Sequence, residues 1–198
     1  MFTSPAQIAF SIGSFKVYYY GIIMAIAIAT GVLVADLIAS NKYKFKKEII
    51  VDMSPYCIIF GFIFARLYYC LMDFNFYLRF PTEILAVRHG GISIHGAIFG
   101  GMLGILIYAK KNKMSFFKLL DISSIGLSLG QAIGRWGNFF NSEAYGLPTN
   151  LPWKLYIAPH YRQIPYMDCN FYHPTFLYES LCDILIFVIL LILTNKNI

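Results

Sequence analysis

The chain has 198 residues, of which 58% are hydrophobic, 18% aromatic and 13% charged, and its mean hydropathy is +0.61. Soluble domains hold about 45–50% apolar and about 25% charged residues, so a soluble core is excluded and an all-α, polytopic membrane bundle is expected. The net charge of +6 would suggest nucleic acid in a soluble protein, but here it reports topology, and no nucleic-acid partner is expected.

Five stretches approach the roughly 20 residues that cross a bilayer core: about 17–39, 49–71, 94–109, 119–133 and 174–193, in a single membrane domain over 1–198. The first begins near Val17, late and long enough to span, which argues against a cleaved signal peptide. Lys42, Lys44, Lys46 and Lys47 follow the first stretch. Lys110, Lys111, Lys113 and Lys118 separate the third from the fourth, and Lys196 follows the fifth. Five alternating spans put all of these on one face, which the positive-inside rule makes cytoplasmic. The amino terminus, the 73–88 loop and the 138–172 loop then lie outside. Pro148, Pro152, Pro159 and Pro165 make the last of these a small irregular extracytoplasmic cap rather than a helix.

Small residues recur every fourth position in two spans, as Gly96, Gly100 and Gly104, and as Gly126, Gly130 and Gly134. Such ridges let transmembrane backbones pack closely. Matched antiparallel, they set Gly96 opposite Gly134 and Gly104 opposite Gly126, which predicts that His95 and Arg135 are neighbours.

Ionisable groups within spans are costly and usually functional. The topology delivers Tyr20, Arg66, His95, Arg135, Asn138, Glu143, His173 and Glu179 to one outer level. Plainer roles compete for several of them. Tyr18, Tyr19, Tyr68 and Tyr69 read as interfacial aromatics, Arg66 as a side chain that snorkels to headgroups, and His95 as a partner for a backbone carbonyl. Asp36, Glu48 and Asp52 read as solvated span ends, and His89 and His160 as loop residues. Cys57, Cys70 and Cys182 read as small buried hydrophobes, and neither histidine nor cysteine spacing makes a metal site. Glu179 and Asp183 are one turn apart on one face. Arg66 is a possible partner for Glu179 and none is evident for Asp183, so this acidic face is expected to open to lipid or to an unfilled cavity.

The densest polar segment is Gly134–Gly146, which reads G-R-x-G-N-F-x-N-x-E-x-x-G, with eight fixed positions in thirteen. It resembles the signature of the prolipoprotein diacylglyceryl transferase family. Tyr20-Gly21, Ala65-Arg66-Leu67, His89-Gly90-Gly91 through His95-Gly96, and His173-Pro174-Thr175 through Tyr178-Glu179 resemble further landmarks of that family, in its order. The resemblance implies roles in activity or substrate binding for Tyr20, His95, Arg135, Asn138, Glu143 and Gly146. Phe176 stands where the family often has glutamine, and Ser142 where it often has glycine. The resemblance also implies about two further spans beyond Ile198, carrying another arginine and glutamate.

The activity so implied is transfer of a diacylglyceryl group from phosphatidylglycerol to the lipobox cysteine of a prolipoprotein signal peptide. A thioether forms and glycerol phosphate is released, in the bacterial cytoplasmic (inner) membrane. The chemistry suits the residues. An anionic headgroup needs a bidentate cation, which Arg135 offers and Arg66 can support. A cysteine thiol of pKa about 8.5 needs a base, for which His95 is preferred. Arg135 stabilises charge on the departing phosphate oxygen. Asn138, Asn141 and Glu143 orient glycerol hydroxyls or hold Arg135, while Tyr20, Gly146 and Glu179 complete the substrate site. No metal or organic cofactor is required. Two rivals stand beside this reading: a transporter or channel, which would spread polar residues through the membrane depth, and a truncated, inactive lipid-binding homologue.

Overall fold

The computed structural model of the protein describes residues 2–4, 6–86 and 90–196. Its elements in order are β1 (Phe2–Thr3), β2 (Ile8–Ile12), β3 (Phe15–Tyr18), α1 (Tyr19–Asn41), α2 (Ile49–Met72), α3 (Phe74–Arg79), α4 (Ile94–Lys111), α5 (Phe116–Asn141), β4 (Leu155–Tyr156), β5 (Phe171–Tyr172) and α6 (Thr175–Lys196). The fold is mostly helical. Among the described residues, four helices, α1, α2, α5 and α6, are long and apolar enough to cross a membrane. Helix α4, which occupies the third expected span, is 18 residues long and ends in Lys110 and Lys111. The chain divides into two compact units, Met1–Val34 with Ile125–Ile198, and Ala35–Ser124.

In the second unit, α4 packs on α2 through its glycine ridge. Any Cβ placed at Gly96, Gly100 or Gly104 would meet the backbone of Phe64, Phe60 or Tyr56, the last at 2.7 Å. Asp36 is not merely a solvated span end. Its carboxylate accepts the N–H groups of Glu48 (2.9 Å) and Ile50 (3.0 Å), capping the start of α2.

In the first unit, the ridge of α5 packs on α1. A Cβ at Gly31 would lie 2.6 Å from the Gly126 carbonyl oxygen, and one at Gly130 would lie 3.2 Å from that of Ala27. Higher up, Gly134 faces Met24 and Gly137 faces the ring of Tyr20. The two ridges therefore serve different partners, which corrects the expectation that they pack on one another. Antiparallel matching of the two ridges suggested that pairing, but glycine spacing does not name a partner, and each ridge packs on a helix of its own unit. The inference that the ridges set His95 beside Arg135 falls with it.

Helix α5 also runs past the expected end at residue 133 to Asn141, so the first residues assigned to the cap are helical. Glycine costs about 1 kcal/mol in a helix interior, but close packing on α1 at Gly134 and Gly137 offsets this. Beyond Asn141 the chain turns irregular, as the prolines predict, apart from short strands that composition did not announce. There β1 pairs parallel with β4, and β4 antiparallel with β5. The cap core is Leu155, Ile157, Tyr172 and Phe176, all buried. A hairpin of β2 and β3 precedes α1.

Candidate functional site

The first turn of α1, the last two turns of α5 and the turn that follows it, and the start of α6 carry most of the expected site residues, and all of these lie in the first unit. Arg135 and Asn138 sit three residues apart on α5 and so share a face. Nη1 of Arg135 pairs with Oε2 of Glu179 on α6 at 2.8 Å. This corrects the sequence-based pairing of Glu179 with Arg66. Just past the helix end, Glu143 accepts through Oε1 from the amides of Asn138 (2.8 Å) and Asn141 (3.3 Å). Both residues flanking Glu143 are left-handed, with φ of 53° at Ser142 and 50° at Ala144. That turn is what folds the carboxylate back under its two asparagines.

Two glycines of the signature are fixed by what lies against them. A Cβ at Gly137 would sit 2.9 Å from Cδ2 of Tyr20, so the glycine is the seat of the tyrosine ring. A Cβ at Gly146 would meet Thr175 at 2.9 Å and His173 at 3.0 Å. The N–H of Gly146 donates to the His173 carbonyl at 3.0 Å, and that of His173 to the Leu147 carbonyl at 3.0 Å. Gly146 thus ties the end of the signature to the start of α6. The imidazole of His173 is 3.1 Å from the Tyr178 hydroxyl, which accepts a hydrogen bond from Trp153 at 2.8 Å.

A cleft of about 810 Å³ opens where these elements meet, and Tyr20, Gly21, Asn141 and Glu143 line it. Gln7 and the cap segment His160–Gln163 line it too. The irregular cap leaves no periodicity by which the sequence could have placed them there. Lower on the same helices lies an apolar groove of about 240 Å³, lined by Ile23 and Ile26 of α1, Leu129, Ile133 and Trp136 of α5, and Ile184 of α6. Along both α1 and α5, the residues facing polar space thus give way to residues facing apolar space within two turns. Sequence patterning did not reveal this groove, because its lining is as apolar as the lipid-facing surface.

The remaining expected residues belong to the second unit. Arg66 is buried, and its guanidinium donates to four backbone carbonyls: Glu83 (2.5 Å), Ile84 (2.9 Å), Gly90 and Gly91 (both 2.7 Å). It lies near the rings of Tyr69 and Tyr77. Its fork organises the segment that leads into α4 and is engaged with protein rather than headgroup. His95, in the first turn of α4, is exposed and stacks on Tyr68 with ring centroids 5.8 Å apart. His89 lies outside the described residues. Asp183, on α6 of the first unit, has one carboxylate oxygen, Oδ2, that is buried without a hydrogen-bond partner among the described residues.

The sequence profile of the family described as prolipoprotein diacylglyceryl transferase matches residues 7–198. The chain is 44% identical over 198 residues to the phosphatidylglycerol–prolipoprotein diacylglyceryl transferase of Nostoc sp., covering 100% of this chain and 70% of the relative. It is 42% identical over 193 residues to the protein of that name from Parasynechococcus marenigrum, covering 98% and 69%. With the one from Fervidobacterium nodosum the identity is 46% over 193 residues, covering 95% and 64%.

Proposed function

Because this chain belongs to the prolipoprotein diacylglyceryl transferase family, we infer that it transfers the diacylglyceryl group of phosphatidylglycerol to a prolipoprotein thiol. The acceptor is the lipobox cysteine of the signal peptide, and the product is a thioether. The observation that carries this reading is the order of surfaces along α1 and α5. An apolar groove on Ile23–Ile26 and Leu129–Trp136 leads to a polar cleft on Tyr20–Gly21 and Asn141–Glu143. A phospholipid has the same order, with acyl chains below and a hydroxylated, anionic headgroup above.

The reaction assigns work to each group. The thiol proton passes to a base, for which His95 is preferred because an imidazole is tunable near neutral pH; its ring makes no hydrogen bond among the described residues. The sulfur then bonds to the glycerol carbon that bears the phosphate. The carbon–oxygen bond breaks with its electron pair on the phosphate oxygen, and glycerol phosphate departs. Arg135 stabilises that developing charge, with its fork directed by Glu179. Glu143, held by Asn138 and Asn141, accepts from a glycerol hydroxyl. The positive-inside rule places the lysines that follow α1 on the cytoplasmic face, which puts the amino terminus and this site outside the cytoplasmic membrane. A channel would instead line the full membrane depth with polar groups, whereas the lower groove is apolar.

Photolabelling tests the placement. Phosphatidylglycerol carrying a photoreactive acyl chain should label Leu129, Ile133 or Trp136 in preference to the exposed face of α6. Uniform labelling of every lipid-facing helix would remove the groove from the account.

A further inference from the structure

Among the described residues the cleft holds one guanidinium, and it is not the one in the signature. Arg162, from the cap, lines it with Tyr20, Asn141 and Glu143. Three of its five N–H donors are anchored within the cap. Nε donates to the Ile157 carbonyl at 2.9 Å, Nη1 to the Met167 carbonyl at 3.1 Å, and Nη2 to Oδ1 of Asn170 at 2.6 Å. These acceptors are all uncharged. Arg135 is paired with a carboxylate, but among the described residues Arg162 has no carboxylate partner. Its plane is therefore fixed, no carboxylate pairs with it directly among the described residues, and these bonds leave one further N–H on each terminal nitrogen.

The same cleft carries the Glu143 carboxylate, whose Oε1 is taken by two amides and whose Oε2 remains to accept. A complementary ligand has an anion to meet Arg162 and hydroxyl donors to meet Glu143. Glycerol phosphate has both, and on the function proposed above, on which this step rests, it is the leaving group. Its release turns a phosphodiester with one negative charge into a monoester that carries about −1.5 to −2 near neutral pH. A fixed guanidinium with no direct ion-pair partner binds the second form better than the first. We propose that Arg162 binds the phosphate of glycerol phosphate in this cleft, and that the cleft is the exit site of the released headgroup.

Binding tests this apart from catalysis. The full chain in nanodiscs would be titrated with glycerol phosphate and with inorganic phosphate, in discs with and without phosphatidylglycerol. Glycerol phosphate should bind about tenfold more tightly than inorganic phosphate, and phosphatidylglycerol in the disc should compete with it. Arg162→Gln should weaken glycerol phosphate by about tenfold or more. Asn170→Ala loosens one anchor of Arg162 but keeps its charge, and should weaken binding by no more than about threefold. Wild-type affinity in Arg162→Gln overturns the proposal, and so does an equal loss in Asn170→Ala, which would mean that cap integrity alone matters. Equal affinity for the two ligands overturns the glycerol assignment. Transfer activity is read separately. Arg162-dependent binding without transfer would sink the proposed function alone, whereas transfer without Arg162-dependent binding would sink this site alone.

Discussion

Nη1 of Arg135 meets Oε2 of Glu179 at 2.8 Å, joining α5 to α6 through side chains that are 38% and 45% exposed. Pairs this accessible contribute only about 0–1 kcal/mol to stability, so the contact serves mainly to direct a planar fork. Arg135→Lys keeps the charge and loses the fork. It should lower the transfer rate by about 100-fold or more with membrane insertion unchanged. Initial rates on a lipobox peptide read this directly, and near-normal transfer would remove Arg135 from phosphate recognition.

If Glu179 acts through Arg135, the two losses cannot add. Glu179→Gln should slow transfer less than Arg135→Lys does, and the double variant should be no slower than Arg135→Lys alone. A double-mutant cycle measures the coupling. Strictly multiplicative losses would make Glu179 an independent contact with substrate.

Gly137 is the seat of the Tyr20 ring, 2.9 Å from where its Cβ would stand. Alanine there has to push an aromatic ring attached to a packed helix, which costs about 1–3 kcal/mol and tilts Tyr20 in the cleft. Gly137→Ala should therefore lower thermal stability in detergent and impair transfer together. Gly21, which has open space where its Cβ would stand, is the control and should keep its stability as Gly21→Ala.

Ser142 holds a φ of 53°, a conformation that costs an L-residue roughly 1–2 kcal/mol and costs glycine almost nothing. Ser142→Gly should leave stability unchanged or raise it by up to about 1 kcal/mol, with transfer retained. Ser142→Val should be destabilising, because branching at Cβ worsens the same clash. Thermal denaturation of the two variants separates them.

Phe176 is 1% exposed and stacks on Phe139 with centroids 4.9 Å apart. It is part of the apolar cap core. Glutamine at this position would bury an amide with no partner in that core, at a cost of about 1–3 kcal/mol. Phe176→Gln should lower the unfolding temperature, and a variant as stable as wild type would show that the core can supply a polar partner.

Hydropathy was enough to read the long helices, because a membrane imposes length and polarity on each one separately. Counting along the helices put Tyr20, Arg135, Asn138 and Glu179 near helix ends, and the structure brings Asn138 to Glu143 and Arg135 to Glu179. Partner choice was not legible. The ridge of α4 fits α2 and that of α5 fits α1, yet the glycine spacing alone suits any close helix. Arg66 was equally opaque, because its partners are backbone carbonyls of the segment before α4 and carry no sequence signal. Arg162 lay in a proline-rich cap, where no period relates sequence position to facing. The capping role of Asp36 escaped because its partners, Glu48 and Ile50, come after a turn whose geometry the sequence does not fix.

The most direct test of the central claim is mass spectrometry of a lipobox peptide incubated with this 198-residue chain in phosphatidylglycerol vesicles. The account predicts a peptide heavier by one diacylglyceryl group on its cysteine, with glycerol phosphate released in equal amount and no product from a peptide whose cysteine is replaced by serine. An unmodified peptide in vesicles where a longer relative modifies the same substrate would contradict it.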